Sequence, residues 1–279
     1  MAYKSIVSIL TDESLMAPAL DCAMNAARAY DAHLDVLTLG VDRSSTGYYY
    51  AGASALVLEQ SIAHADEEAH KIMAAARSRL TKSELRWSCD SDVAQLVELP
   101  RRVAQRARFA DLAILPQPYG EGRGTELEPV TEACLFDAQV PVLIVPDDVK
   151  PAVKPQRIAI GWNESAEAMT AVRAALPFLQ GAEKVHVVIV DPPAHGAGRS
   201  DPGGLLSQFL ARHGVRVEID VLSKTLPRVS DVLMRHAADM DADLMVLGAY
   251  GHSRFREAVF GGATRNLLEH ATLPLFMAH

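Results

Sequence analysis

The sequence predicts an α/β protein made of two repeated five-stranded open parallel sheets, with helices on both faces of each. Three observations predict it. Short apolar runs alternate with stretches of helical spacing in the order β-α-β-α-β-α-β-α-β, which implies a parallel sheet joined by helical crossovers. The pattern then starts again. Ile158-Ala-Ile-Gly-Trp-Asn163 matches Val7-Ser-Ile-Leu-Thr-Asp12 at an offset of 151, Ala242-Asp-Leu matches Ala110-Asp-Leu at 132, and Thr272-Leu-Pro274 matches Gln139-Val-Pro141 at 133. Finally, 279 residues make two domains of about 140, the usual domain size. A hydrophobic content of 49 % with only 6 % aromatics suits cores rich in Ala, Val and Leu.

In the first repeat, Ile6 to Leu10 reads as strand one, ended by Thr11-Asp12-Glu13-Ser14. Met16, Leu20, Ala23, Ala27 and Tyr30 recur at helical spacing. Leu34 to Leu39 is strand two. Residues 43–58 are irregular and carry Tyr48-Tyr49-Tyr50: an ordinary packed insertion, the lining of a pocket for a small ligand, or a cover over the neighbouring repeat. A long helix rich in Ala, Glu and Lys follows over about 56–80, then strand three at Leu85 to Ser88. Pro100, a favoured first-turn residue, opens a helix to about Phe109. Asp111 to Leu115 is strand four, Val130 to Asp137 a helix, and Val140 to Val145 strand five.

Asp147-Asp-Val-Lys-Pro151-Ala-Val-Lys-Pro155 is a charged, two-proline linker, so the domains are expected at 1–146 and 156–279 with a linker at 147–155. The falling offset leaves the first repeat about 19 residues longer ahead of strand four, the tyrosine insertion and a longer second helix being the simplest source. In the second repeat Ala168, Val172, Leu176 and Leu179 mark one buried helix face, and Val185 to Val190 is strand two. His195 to Gly204 is a glycine-rich connection, not a dinucleotide fingerprint, because Gly196-x-Gly198 lacks the third glycine. A short helix at Leu205–Leu210, strand three at Val215–Val221 and a helix at Val229–Met240 lead to Leu244–Leu247, a wholly apolar run that reads as a buried strand. The fifth strands, ending in Val145 and Met277, would be exposed edges, so they are expected to meet.

Charge and cysteines bound the function. The net charge of −8 argues against a nucleic-acid partner, and no apolar run reaches the ~18 residues of a membrane span. Residues 1–150 carry 14 Lys/Arg against 22 Asp/Glu, while 151–279 carry 13 of each, so the second repeat is the less hostile to an anionic ligand. Cys22, Cys89 and Cys134 are widely spaced without a CxxC pair, which reads as buried reduced thiols in a cytoplasmic protein.

The chemistry-bearing stretch is Asp243 to Thr264. The strand ends in Gly248-x-x-Gly251, and Gly261-Gly262 precedes a helix carrying Thr264, Leu267, Leu268 and Ala271. Glycines at a strand end and at a helix start let backbone N–H groups approach an anion, and the helix N-terminus adds unpaired donors. Two readings of them stand: a phosphate cradle, or tight turns and close packing with no ligand. The spacing G-x2-G-x9-G, the repeated strand-one endings and the Asp-Ala-Asp-Leu strand resemble the universal stress protein (UspA) family over nearly the whole chain.

That resemblance implies a Rossmann-like fold and, in some members, ATP held between the ends of strands one and four. Carried over, the strand-one end is Gly161, Trp162 and Asn163, the base-lining position is Ile189, and the cradle is Gly248, Gly251, Gly261, Gly262, Ala263 and Thr264, with His252 beside it. Asn163 stands where ATP binders often have Asp, and Gly262 where they have Ser or Thr; losing one neutral hydrogen bond costs about 0.5–1.5 kcal/mol. Trp162 either caps the base or packs at the strand end, and His252 faces either a phosphate or solvent. Mg would enter only with a bound nucleotide.

In the first repeat Pro116-Gln-Pro-Tyr119 replaces Gly248-Ala-Tyr-Gly251, and Glu128-Pro129 stands where Gly261-Gly262 would be. Proline lacks the N–H donor and glutamate repels phosphate, so nucleotide binding is expected only in the second repeat. No phosphate loop, nucleophile elbow or His/Cys metal spacing occurs in the sequence, so no catalytic residue is assigned and at most slow ATP hydrolysis is expected. The expected function is therefore stress-response adenine-nucleotide binding, with an intramolecular pair of repeats and a further homodimer as an option. The alternative is a nucleotide-free scaffold in which both repeats serve as a dimer-like platform.

Overall fold

In the computed structural model the described residues are 2–43, 55–149, 152, 154–192, 201–249 and 263–279. The chain divides into two compact units, Tyr3–Val140 and Pro141–His279, with residues 1–2 grouped in the second. None of the described helices is long and apolar enough to cross a membrane.

The first unit runs β1 (Ser5–Leu10), α1 (Glu13–Tyr30), β2 (His33–Asp42), α2 (Ala55–Leu80), β3 (Arg86–Gln95), α3 (Leu99–Ala107), β4 (Leu112–Pro116) and α4 (Leu127–Glu132), which passes into a π-helical turn at Ala133–Asp137. Its strands are parallel in the order β3-β2-β1-β4. Each start and stop has a local cause. Asp12 caps α1 by accepting from the Ser14 N–H at 2.7 Å, and Asp31 ends it in the left-handed region (φ 50°), its N–H closing on the Ala27 carbonyl. The expected face of α1 is buried at Met16, Leu20, Ala23 and Ala27, while Tyr30 packs edge-on against Tyr3 with ring centroids 5.0 Å apart.

The second unit runs β5 (Val142–Val145), β6 (Arg157–Gly161), α5 (Ala166–Ala174), α6 (Leu176–Leu179), β7 (Lys184–Val190), α7 (Gly204–Arg212), β8 (Val217–Leu222), α8 (Val229–Asp239), β9 (Leu244–Gly248), α9 (Ala263–His270) and β10 (Leu275–Ala278). The strand order is β5-β10-β9-β6-β7-β8, parallel except for β5. The two fifth strands do meet. β5 pairs antiparallel with β10, Leu143 opposite Phe276, and thus joins the second unit. Phe276 is fully buried and meets Phe178 edge-on at 5.9 Å, so the edge that would face water is covered.

The repeated Ala-Asp-Leu signature has a structural job. Asp111 accepts from the Lys4 and Ser5 N–H groups at 2.7 and 2.9 Å, tying the start of β4 to the start of β1. Asp243 does the same for Gln156 and Arg157 at 2.9 and 3.1 Å, tying β9 to β6. Those otherwise open strand-start donors are satisfied by one carboxylate in each unit.

Two elements differ most from the sequence expectation. β3 runs to Gln95 rather than Ser88, paired with β2 along its whole length. The expected single helix through Leu179 breaks between α5 and α6, because Pro177 supplies no N–H to continue the ladder.

Candidate functional site

In the second unit β6 lies between β9 and β7, with Gly161 opposite Leu247 on one side and Val188 on the other. The connection β6–α5–β7 leaves β6 in one direction, and the chain returns through α8 to β9 on the other. The carboxyl ends of β6 and β9 therefore flank a topological switch point, where open α/β sheets form their ligand crevice.

The end of β6 is a tight turn. Trp162, half-buried, donates its N–H to the Val188 carbonyl at 2.9 Å. Asn163 is exposed and accepts from the Ser165 N–H at 3.2 Å, Glu164 takes a positive φ of 63°, and Ser165 caps α5 by accepting from the Ala168 N–H at 3.1 Å. Among the described residues the Asn163 amide nitrogen makes no hydrogen bond, which leaves it for another partner. A Cβ at Gly161 would stand 2.5 Å from Leu247 Cδ2, so this glycine lets β6 pass the Leu247 side chain.

Gly248 ends β9 against the first turn of α5. A Cβ there would lie 2.5 Å from the Ala168 backbone nitrogen and 2.7 Å from the Glu167 carbonyl carbon. Close strand–helix packing alone therefore accounts for glycine at this position. Gly161, Trp162, Asn163 and Gly248 gather around the β6–α5 turn. Ile189, one strand over on β7, is buried, and Gly203 (φ 83°) lies over it, where a Cβ would be 3.0 Å from Ile189 Cδ1. Ala263 opens α9, with Thr264 buried in its first turn. Gly251, His252, Gly261 and Gly262 lie outside the described residues, as do Tyr48, Tyr49 and Tyr50.

The corresponding strand ends in the first unit carry different chemistry. Thr11 follows β1, Arg43 follows β2, and the buried Gln117 follows β4. Glu126 reaches two of them: its Oε1 accepts from Arg43 Nη2 at 2.9 Å and from Thr11 Oγ1 at 3.4 Å. The Glu126 side chain is only 1 % exposed.

Sequence reading missed a second polar cluster, on β7, β8 and α8. Asp220 Oδ2 stands 2.8 Å from His186 Nδ1 and 2.8 Å from His236 Nε2. Burial acts to raise the Asp220 pKa, but the two imidazole hydrogen bonds and their charge outweigh it together and hold the carboxyl below its usual value. The available signal was His186 itself, a titratable residue in the apolar run Lys184-Val-His-Val-Val-Ile-Val190. His64 and His70, exposed on α2, stand 3.5 Å from Glu68 and 3.4 Å from Asp66. The three cysteines are free and buried; burial pushes the Cys22 thiol up to about 12 and raises Cys134 and Cys89 as well.

Residues 155–279 match the universal stress protein family. This half of the chain is a universal stress protein domain. Universal stress protein Slr1230 of Synechocystis sp. is 26 % identical over 144 residues, covering 48 % of this chain and 45 % of that protein, so the match spans less than half of the relative's length. The crystal structure of a universal stress protein from Archaeoglobus fulgidus shares the fold across 98 % of this chain and 95 % of its own, with a TM-score of 0.71 at 14 % identity. A universal stress protein family protein from Arabidopsis thaliana, solved with AMP bound, aligns over 44 % of this chain and 91 % of its own at 14 % identity and a TM-score of 0.33. The universal stress protein domain thus contains every residue of the G-x2-G-x9-G motif and the β6–α5 turn beside it.

Proposed function

We propose that the second unit binds an adenine nucleotide, ATP or a close relative, at the carboxyl ends of β6 and β9, and that the first unit does not. The observation that carries this reading is the placement of Gly161, Asn163 and Gly248 around the topological switch point of a universal stress protein domain. Asn163 offers its amide nitrogen to a ribose hydroxyl as a neutral partner, and the backbone from Gly248 to Thr264 supplies the glycine-rich segment for the phosphates. Ile189 lines the base side only if the segment at Gly203 leaves room, since Gly203 lies over it in the described structure. Mg would arrive with the nucleotide's phosphates. Any hydrolysis is expected to be slow.

The wider reading is a cytoplasmic stress-response protein made of a tandem pair, residues 1–146 and 156–279 joined by 147–155, with a further homodimer as an option. Native mass spectrometry of the purified protein is the direct experiment. The proposal expects an added mass of one adenine nucleotide, retained on gentle desalting or acquired from millimolar ATP. A chain that stays at its bare mass under both conditions sinks it. The scaffold reading draws on one observation: Gly248 is accounted for by packing against α5.

A further inference from the structure

We propose that Glu126 is a built-in anion that fills the first unit's crevice, holds Arg43, and so closes this unit to phosphate-bearing ligands. The inference stands on the first unit's own residues and does not depend on nucleotide binding in the second.

The crevice is defined by topology. β1 lies between β2 and β4, so Thr11, Arg43 and Gln117 sit at three neighbouring carboxyl ends. An anionic ligand entering there would meet the Arg43 guanidinium and the Thr11 hydroxyl, one cation and one neutral donor. Both are already turned onto Glu126 Oε1. The carboxylate is 1 % exposed, and its second oxygen, Oε2, is buried with no hydrogen-bond partner among the described residues. Gly124 packs directly over the carboxylate, because a Cβ at that position would overlap Glu126 Oε1 and stand 2.5 Å from Cδ and Oε2.

A buried carboxylate is costly unless a cation and hydrogen bonds compensate it, and Glu126 has both on one oxygen only. Arg43 is in a different position: 46 % of its side chain is exposed, and Glu68 on α2 stands 3.8 Å away as a looser partner. Removing Glu126 therefore leaves a solvated guanidinium beside a vacated polar cavity, not a stranded buried charge. At the repeat offsets of 132 and 133, the second repeat has Ala258 and Val259 in place of Glu126. The built-in anion thus belongs to the first repeat, the one whose strand-four end also lacks the glycines.

The ligand class follows from the groups that would be released: a guanidinium and a hydroxyl take a small tetrahedral oxyanion. The test is titration of full-length protein with inorganic phosphate, read by calorimetry and by thermal shift. The variants are Glu126→Ala, Glu126→Gln and the double variant Glu126→Ala/Arg43→Ala. The expected result is one phosphate site in Glu126→Ala beyond whatever the wild type shows. That site weakens about tenfold or more in the double variant, the size of one charge-assisted contact. Glu126→Gln keeps the shape and removes only the charge, and it is expected to gain the same site with lower affinity. If Glu126→Ala does not fold, the Gln variant decides alone, against Glu126→Gln/Arg43→Ala. Folded Glu126 variants that bind no more phosphate than the wild type, or a gained site indifferent to Arg43→Ala, would overturn the proposal. A wild type that binds no nucleotide leaves this outcome readable, since the gained site is counted against the wild-type baseline.

Discussion

Gly248→Ala separates packing from ligand binding at the motif's first glycine. The added methyl would stand 2.5 Å from the Ala168 nitrogen, 2.7 Å from the Glu167 carbonyl carbon and 2.9 Å from the Ala168 Cα, all backbone atoms of the first turn of α5. No rotamer relieves such a contact, so β9 or α5 must move, and overpacking of this kind costs about 1–3 kcal/mol. The opposing gain, a less flexible unfolded chain, is about 0.4–1 kcal/mol, so net destabilisation is expected. For a unit of this size, about 3 °C is lost per kcal/mol, so a net loss of at most about 2.6 kcal/mol should lower the melting temperature by up to about 8 °C. Gly161→Ala is the internal control. Its new methyl meets the far end of the Leu247 side chain, which can rotate away, so the loss should be smaller. Urea denaturation and thermal melts of both variants without ligand make the measurement. A Gly248→Ala protein as stable as the wild type, or less damaged than Gly161→Ala, refutes the packing argument.

Two further outcomes follow from titratable groups. The folded Asp220 carboxyl titrates below its unfolded value of about 3.9, so its stabilising contribution is fully present above that value and is lost as pH falls through the lower folded pKa. The stability difference between wild type and Asp220→Asn should therefore be sustained at pH 5 and shrink toward pH 3; a difference that grows on acidification contradicts the His–Asp–His geometry. Cys22, Cys89 and Cys134 are buried with raised thiol pKa values, so a thiol reagent at pH 8 should label none rapidly in the native protein and all three after denaturation. Rapid native labelling of one cysteine would show that its cover opens.

The fold was readable because most strands are short apolar runs and the helices between them keep one apolar face. The repeat was readable because its signature residues have fixed jobs, as Asp111 and Asp243 show by tying neighbouring strand starts together. β3 was half hidden: Asp90-Ser-Asp92 carries no apolar alternation, and it is strand because the β2 backbone pairs with it. The break before α6 was marked by Pro177 but masked by the helical spacing of Leu176 and Leu179. At the site, the glycine motif was visible as spacing, yet the contact that explains Gly248 comes from α5, 80 residues earlier in the chain. Glu126 gave no local signal, because its partners Arg43 and Thr11 lie 83 and 115 residues away. The Asp220 cluster, assembled from two strands and a helix, left only His186 in its apolar run as a local sign.

Calorimetric titration with ATP of the wild type, Gly261→Ala and Tyr119→Ala tests the central claim most directly. A methyl at Gly261 should crowd the phosphates and weaken binding at least tenfold, about 1.4 kcal/mol, with the fold retained. Tyr119 sits in the first repeat, where Pro116, Pro118 and Pro129 have removed the donors, so Tyr119→Ala should bind as the wild type does. If the wild type gives no heat with ATP, ADP or AMP at millimolar ligand, or if Tyr119→Ala is the variant that loses binding, the assignment of the site to the second unit is contradicted.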